Sequence, residues 1–191
     1  MYMNSAPHLL TQDRPEFERV LDEALRTAAD TPGASRSALN SDQLRMMALS
    51  AAAASINPEQ IEREYFDLFV GLGRGELFPY ASYYLTGYLY GRPLARVRET
   101  LKQLGLERIE GQSEPEDHAA ILLEVMAGLA NGQIVAPGET ARDIFETHLK
   151  PWIGRFFSDL EHAQAATFYA CVGTLGRIFT EVEAEAFSLS K

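Results

Sequence analysis

Asp117 and His118 stand side by side at the end of the segment Glu114-Pro115-Glu116-Asp117-His118. A carboxylate beside an imidazole suits polar recognition: the carboxylate can pair with an arginine or lysine, and the imidazole titrates near neutrality. The same residues have a plainer use. Acidic groups in a first helical turn offset the helix dipole, and Ser113 with Glu116 has the spacing of a capping box. The pair therefore points to a binding surface for a cationic group or to the start of a helix.

Other candidate chemistry falls away on spacing. His8, His118, His148 and His162 include no His-Glu-x-x-His, and Asp159-x-x-His162 is a single half of what a di-iron bundle needs twice. Gly71-Leu72-Gly73-Arg74-Gly75 lacks the Lys-Ser/Thr of a phosphate loop and follows a helical pattern, so it reads as a helix stop. There is no Gly-x-Ser-x-Gly elbow. Cys171, between Ala170 and Val172, reads as a buried structural thiol. Without a nucleophile–base set or a metal set, an enzyme is not expected, nor is a cofactor or metal.

The elements that must position Asp117 and His118 follow a helical period almost throughout. Asp13 and Pro15 start a first helix, and Ser41 caps a second. Asn57-Pro58 with Gln60 opens a third, whose stripe is Ile61, Tyr65, Leu68, Phe69 and Leu72. A short helix is expected within the aromatic stretch 79–90. Another begins at Pro93 and stops at Gly105. The next runs over about 114–130, with Ile121, Leu122, Val125, Met126 and Leu129 on its face. Ile144, Phe145 and Leu149 mark a helix that Pro151 breaks. Two more follow, the last carrying Phe168, Val172, Leu175, Phe179 and Val182. The expected fold class is all-α, as a single compact multi-helix domain over 1–191 with 1–12 flexible.

The 191 residues are 46% apolar and 23% charged, ordinary for a globular chain. The one cysteine excludes an internal disulfide and fits a reducing compartment. No stretch approaches the ~20 apolar residues of a membrane span, and residues 1–13 lack the pattern of a signal peptide. The expected location is the cytoplasm. The net charge of −10 disfavours nucleic acid and anionic membrane surfaces and favours a cationic partner.

Four segments recur here in the order and spacing of a known family. They are Tyr65-x-x-Leu68-Phe69 with Gly71, Pro79-Tyr80-Ala81-Ser82-Tyr83, Glu114-Pro115-Glu116-Asp117-His118, and His148-Leu149-Lys150-Pro151-Trp152 with Phe156. Over roughly residues 40–185 the chain resembles the TorD/DmsD/NarJ family of chaperones for molybdenum enzymes. The resemblance implies an all-α fold special to the family. It also implies binding of the N-terminal twin-arginine signal peptide, or another terminal segment, of a molybdoenzyme catalytic subunit, held from export until the cofactor is in. On that basis Tyr65, Leu68, Phe69, Tyr80 and Tyr83 are candidate groove walls, and Asp117 and His118 the polar end. Tyr65 stands where sulfoxide-reductase chaperones of the family tend to have Trp, which leaves the client open, with a formate-dehydrogenase type slightly ahead. A monomer and a homodimer made by helix exchange are both open. The alternative reading is an all-helical small-ligand-binding or regulatory domain that uses the aromatic cluster as a pocket.

Overall fold

The computed structural model describes residues 56–108, 114–136, 138 and 140–189. The two N-terminal helices expected from the sequence, the flexible 1–12 and the Ser113 cap lie outside these residues. The described helices are α1 (Pro58–Tyr65), α2 (Ala81–Thr86), α3 (Arg92–Gln103), α4 (Ala119–Ala130), α5 (Ala141–Ile144), α6 (Ile153–Glu161) and α7 (Phe168–Leu189). α1 and α5 each continue into a π-helical turn, Phe66–Val70 and Phe145–Leu149. Among the described residues the fold is all-helical, and its β-type pairing is one isolated antiparallel bridge, Tyr80 to His118. No described helix is long and apolar enough to cross a membrane.

The contacts cluster into two units. One holds Leu77–Phe156, and so α2 to α5 and the first turn of α6. α3 follows Pro at its N-terminus and buries Leu94, Val97 and Leu101, spaced 3 and 4 apart. α4 buries Leu122, Val125 and Met126, and packs on α5 and its π turn. Trp152 and Phe145 are fully buried and anchor this core. His148 is buried beside them. Its Nε2 lies 2.8 Å from Thr100 Oγ1 on α3, and its carbonyl accepts from Trp152 Nε1. Burial, and then Arg96, hold its pKa below the ordinary value. The His-Leu-Lys-Pro-Trp segment is thus a packing joint.

Glu124 is the one acidic residue of α4, half-buried on an otherwise apolar helix, and burial pushes its carboxyl up to about 7. The folded state therefore binds this proton more readily than the unfolded chain, whose value is 4.5. Stability falls as pH rises from 4.5 to about 7, and the charged carboxylate is a constant penalty above that. Glu124→Gln is expected to raise the melting temperature by about 2–4 °C at pH 8, the shift that about 1 kcal/mol produces in a chain of this size. The gain should vanish near pH 4.5; calorimetric melts at both pH values check it.

The other unit holds 56–76 with 157–189. Asn57 and Gln60 form the expected capping box of α1. Gly71, at φ 62, ends the π turn, as expected for a helix stop. α7 lies against α6 through glycine: a Cβ on Gly173 would sit 2.4 Å from the backbone nitrogen of Glu161. Arg177 Nε and Thr174 Oγ1 both donate to the Glu161 carboxylate. The start of α7 is held by carboxylates far away in sequence. Glu64 Oε2 accepts from the backbone N–H of Thr167, Phe168 and Tyr169, and Glu76 accepts from Gln164 and Ala165. Cys171 is half-buried rather than buried, with its thiol directed at the Thr167 carbonyl one turn back.

Candidate functional site

Asp117 and His118 are not in the first turn of a helix. α4 begins at Ala119, not near 114, and His118 is its N-cap with φ −68 and ψ 140. The cause is a pairing across the unit. Ala81 N–H donates to the Asp117 carbonyl at 2.9 Å, and Ala119 N–H to the Pro79 carbonyl at 2.8 Å. These two bonds flank His118 and hold it extended after a turn at 116–117, so the ladder of α4 does not start earlier. Glu116, expected inside a capping box, instead takes Arg98 of α3 in an ion pair at 2.9 Å.

Each side chain of the pair then ends a different helix. Asp117 Oδ2 accepts from Ser82 N–H at 2.7 Å, in the first turn of α2. The α2 N-cap position is Tyr80, whose own side chain makes no capping bond. His118 Nδ1 accepts from Ala120 N–H at 3.1 Å, in the first turn of α4. That bond requires Nδ1 to be unprotonated and places any proton of the neutral ring on Nε2. Burial lowers the His118 pKa, with Glu114 and Asp117 opposing it. Asp117 is fully buried, and its Oδ1 has no hydrogen-bond partner among the described residues.

Around this clasp lies an aromatic wall. The Tyr80 ring meets the His118 imidazole edge-on at 5.1 Å, and its phenol donates to Glu114 Oε2. Tyr83 packs on Phe78 at 5.0 Å and on Tyr84 at 5.9 Å. Tyr84 reaches Trp152 at 5.5 Å, with the Arg155 guanidinium over its ring. Tyr80, Tyr83, Glu114, Glu116 and His118 are all part-exposed. Leu85 of α2, and Tyr88 and Tyr90 beyond it, are exposed. This surface combines apolar rings with carboxylates, which suits a segment that is apolar in one stretch and cationic in another.

Of the seven candidate residues, Tyr80, Tyr83, Asp117 and His118 fall in the Leu77–Phe156 unit, and the bonds above bring Tyr80, Asp117 and His118 together. Tyr65, Leu68 and Phe69 belong to the other unit. There Tyr65 and Phe69 stack at 5.4 Å and both face Tyr169, at 6.5 and 5.4 Å. Leu68 is fully buried, whereas its neighbours Phe66 and Val70 are exposed and Leu72 is 98% exposed. Leu68 is the buried residue of the π turn. Three contributors had no role assigned from sequence. Glu114 and Ser82 sit inside segments already singled out, so proximity was the available signal. Ser82, fully buried, also accepts from Tyr90 N–H through its hydroxyl. Tyr169 carried no signal; its buried hydroxyl has no partner among the described residues. No group of residues able to hold a metal ion occurs among the described residues.

A family model described as the nitrate reductase delta subunit matches residues 34–158. The chaperone protein TorD of Vibrio cholerae is 29% identical over 131 residues, 64% of this chain and 60% of the relative. TorD of Vibrio vulnificus is 35% identical over 72 residues, 37% of this chain and 34% of the relative. The match thus spans about 60% or less of the length of these two relatives. A crystal structure described as a candidate redox enzyme maturation protein from Archaeoglobus fulgidus has the same fold. Its TM-score is 0.55 at 22% identity, covering 95% of this chain and 98% of that one.

Proposed function

We propose a function from one premise: the chain belongs to the TorD/NarJ family of redox-enzyme-maturation chaperones, and is not an enzyme. Its role is to bind the catalytic subunit of a molybdoenzyme in the cytoplasm. It holds the N-terminal twin-arginine signal peptide from export until the cofactor has been inserted. The supporting observation is Tyr80. It is a part-exposed aromatic ring set edge-on against His118, with its phenol on the Glu114 carboxylate. A signal peptide has a basic end and a short apolar run. The Glu114 and Glu116 carboxylates favour the first, the Tyr80 and Tyr83 rings receive the second, and the −10 net charge steers the whole. Tyr65 and Phe69 remain candidates for further contacts. Leu68 and Asp117, without exposure, serve by supporting their neighbours.

Titration calorimetry with a synthetic twin-arginine peptide tests this. Wild type is expected to bind, and Tyr80→Ala to bind about tenfold more weakly, as loss of one aromatic anchor costs more than about 1 kcal/mol. Circular dichroism should report an unchanged helix content. An equal affinity for the variant removes Tyr80 from the site. Wild-type binding of a small apolar ligand, with no affinity for the peptide, makes the protein a ligand-binding domain instead.

A further inference from the structure

Asp117 and His118 each spend their side chain on a helix start, and this changes what the pair can do. Asp117 offers no exposed surface, and one of its oxygens holds Ser82 of α2. His118 offers its ring face to Tyr80 and its Nδ1 lone pair to Ala120 of α4. Their backbones are the strand-like link between Pro79–Ala81 and the start of α4. We propose that Asp117 and His118 are positioning residues of the peptide site rather than contacts to the peptide, and that the clasp they form holds Tyr80 in place only while His118 is neutral. This inference rests on the peptide-binding reading above.

The reasoning is in the hydrogen bonds. A cationic imidazole has no lone pair and cannot accept from Ala120 N–H. Protonation therefore replaces a cap with two N–H groups facing each other at the start of α4. The positive charge also meets the end of the helix that already carries partial positive charge. Tyr80 stacks on the same ring and pairs with His118 through the bridge, so its position is the first to loosen. The charged and titratable groups that act on or touch the ring are Glu114 and Asp117 of its own segment and Tyr80 beside α2; Glu116 of the same segment is paired with Arg98 of α3. Burial favours the neutral ring and outweighs Glu114 and Asp117, which both favour the protonated one. The folded state thus binds the proton less readily than the unfolded chain. The stabilisation is complete above about 6.5 and is lost as pH falls through the lower folded value.

His118→Asn decides the question, because asparagine caps helices well and does not titrate. Wild type and variant are melted from pH 7.5 to 5, and only their difference is read, which cancels Glu124 and every other shared group. The wild type is expected to lose melting temperature relative to the variant as pH falls. Affinity for the twin-arginine peptide at pH 7.5 should fall only modestly in the variant, which loses the ring that Tyr80 packs against. At pH 5.5 the wild type should be at least threefold weaker while the variant changes little. Asp117→Asn, which can still accept from Ser82, should keep most of the affinity at pH 7.5, and Asp117→Ala should lose it. Two results overturn the assignment. In one, His118→Asn or Asp117→Asn abolishes peptide binding at pH 7.5 with an unchanged melting temperature, which makes that residue a peptide contact. In the other, the melting difference is flat with pH, which removes the neutral-imidazole cap. If wild type binds no peptide at any pH, the functional reading fails, and the melting difference alone then decides the cap.

Discussion

Gly173→Ala is expected to lower the melting temperature by about 6–12 °C, where the same change on an open helix face would raise it. Alanine is the better helix former by about 1 kcal/mol, so the sign is diagnostic. At Gly173 the added methyl would lie 2.4 Å from the Glu161 nitrogen and 2.8 Å from the Phe157 carbonyl oxygen. Both are backbone atoms of α6 and cannot turn aside. The helices must separate, which also stretches the bonds from Thr174 and Arg177 to Glu161. Overpacking of this kind costs about 3 kcal/mol, and each kcal/mol moves the melt by about 2–4 °C in a chain of this length. Gly176→Ala is the internal comparison. There the methyl meets the Phe157 ring, a side chain with some freedom to shift, so the loss should be smaller. Thermal melts of the two variants rank them. Equal and negligible effects would show that α6 and α7 do not approach this closely.

Glu64→Ala is the second large effect, a loss of about 2–4 kcal/mol. One carboxylate oxygen takes three N–H groups at the start of α7, at 2.8, 2.9 and 3.3 Å. No side chain within 167–169 replaces it among the bonds described. A lost N-cap costs about 1 kcal/mol, and leaving part-buried donors unmet adds about 1–3 kcal/mol. Glu64→Gln keeps an acceptor oxygen without the charge, so it should recover about half of the loss. Urea denaturation of the three proteins at one pH measures this. An alanine variant as stable as wild type would mean that water caps α7 equally well.

Helix content was legible in the sequence because it is written in local terms. Asn57, Pro58 and Gln60 start α1 with groups no more than three residues apart, and Gly71 stops its π turn by its own φ. The apolar spacing of Leu94, Val97 and Leu101 needs no partner to be read. The Asp-His segment was legible as a feature worth attention, and so were the aromatic residues on either side of it. The family, too, could be read from the order of four short segments.

Roles were decided elsewhere. Whether Asp117 faces outward or inward depends on Pro79 to Ser82, about 35 residues away, whose backbone takes the pair out of the helix and buries its carboxylate. Glu116 finds Arg98 at a separation of 18 residues, and Glu64 finds the start of α7 at 104. Leu68 and Phe69 are neighbours in one apolar stripe, yet within the π turn one is buried and the other part-exposed. Sequence by itself determined what can be settled within a few residues: the helical character, local punctuation such as the Asn57 cap and the Gly71 stop, and the acidic charge. Only the tertiary structure decided which polar groups meet. A buried donor or acceptor must be satisfied by whatever lies closest in space, and that neighbour has no fixed spacing in the chain.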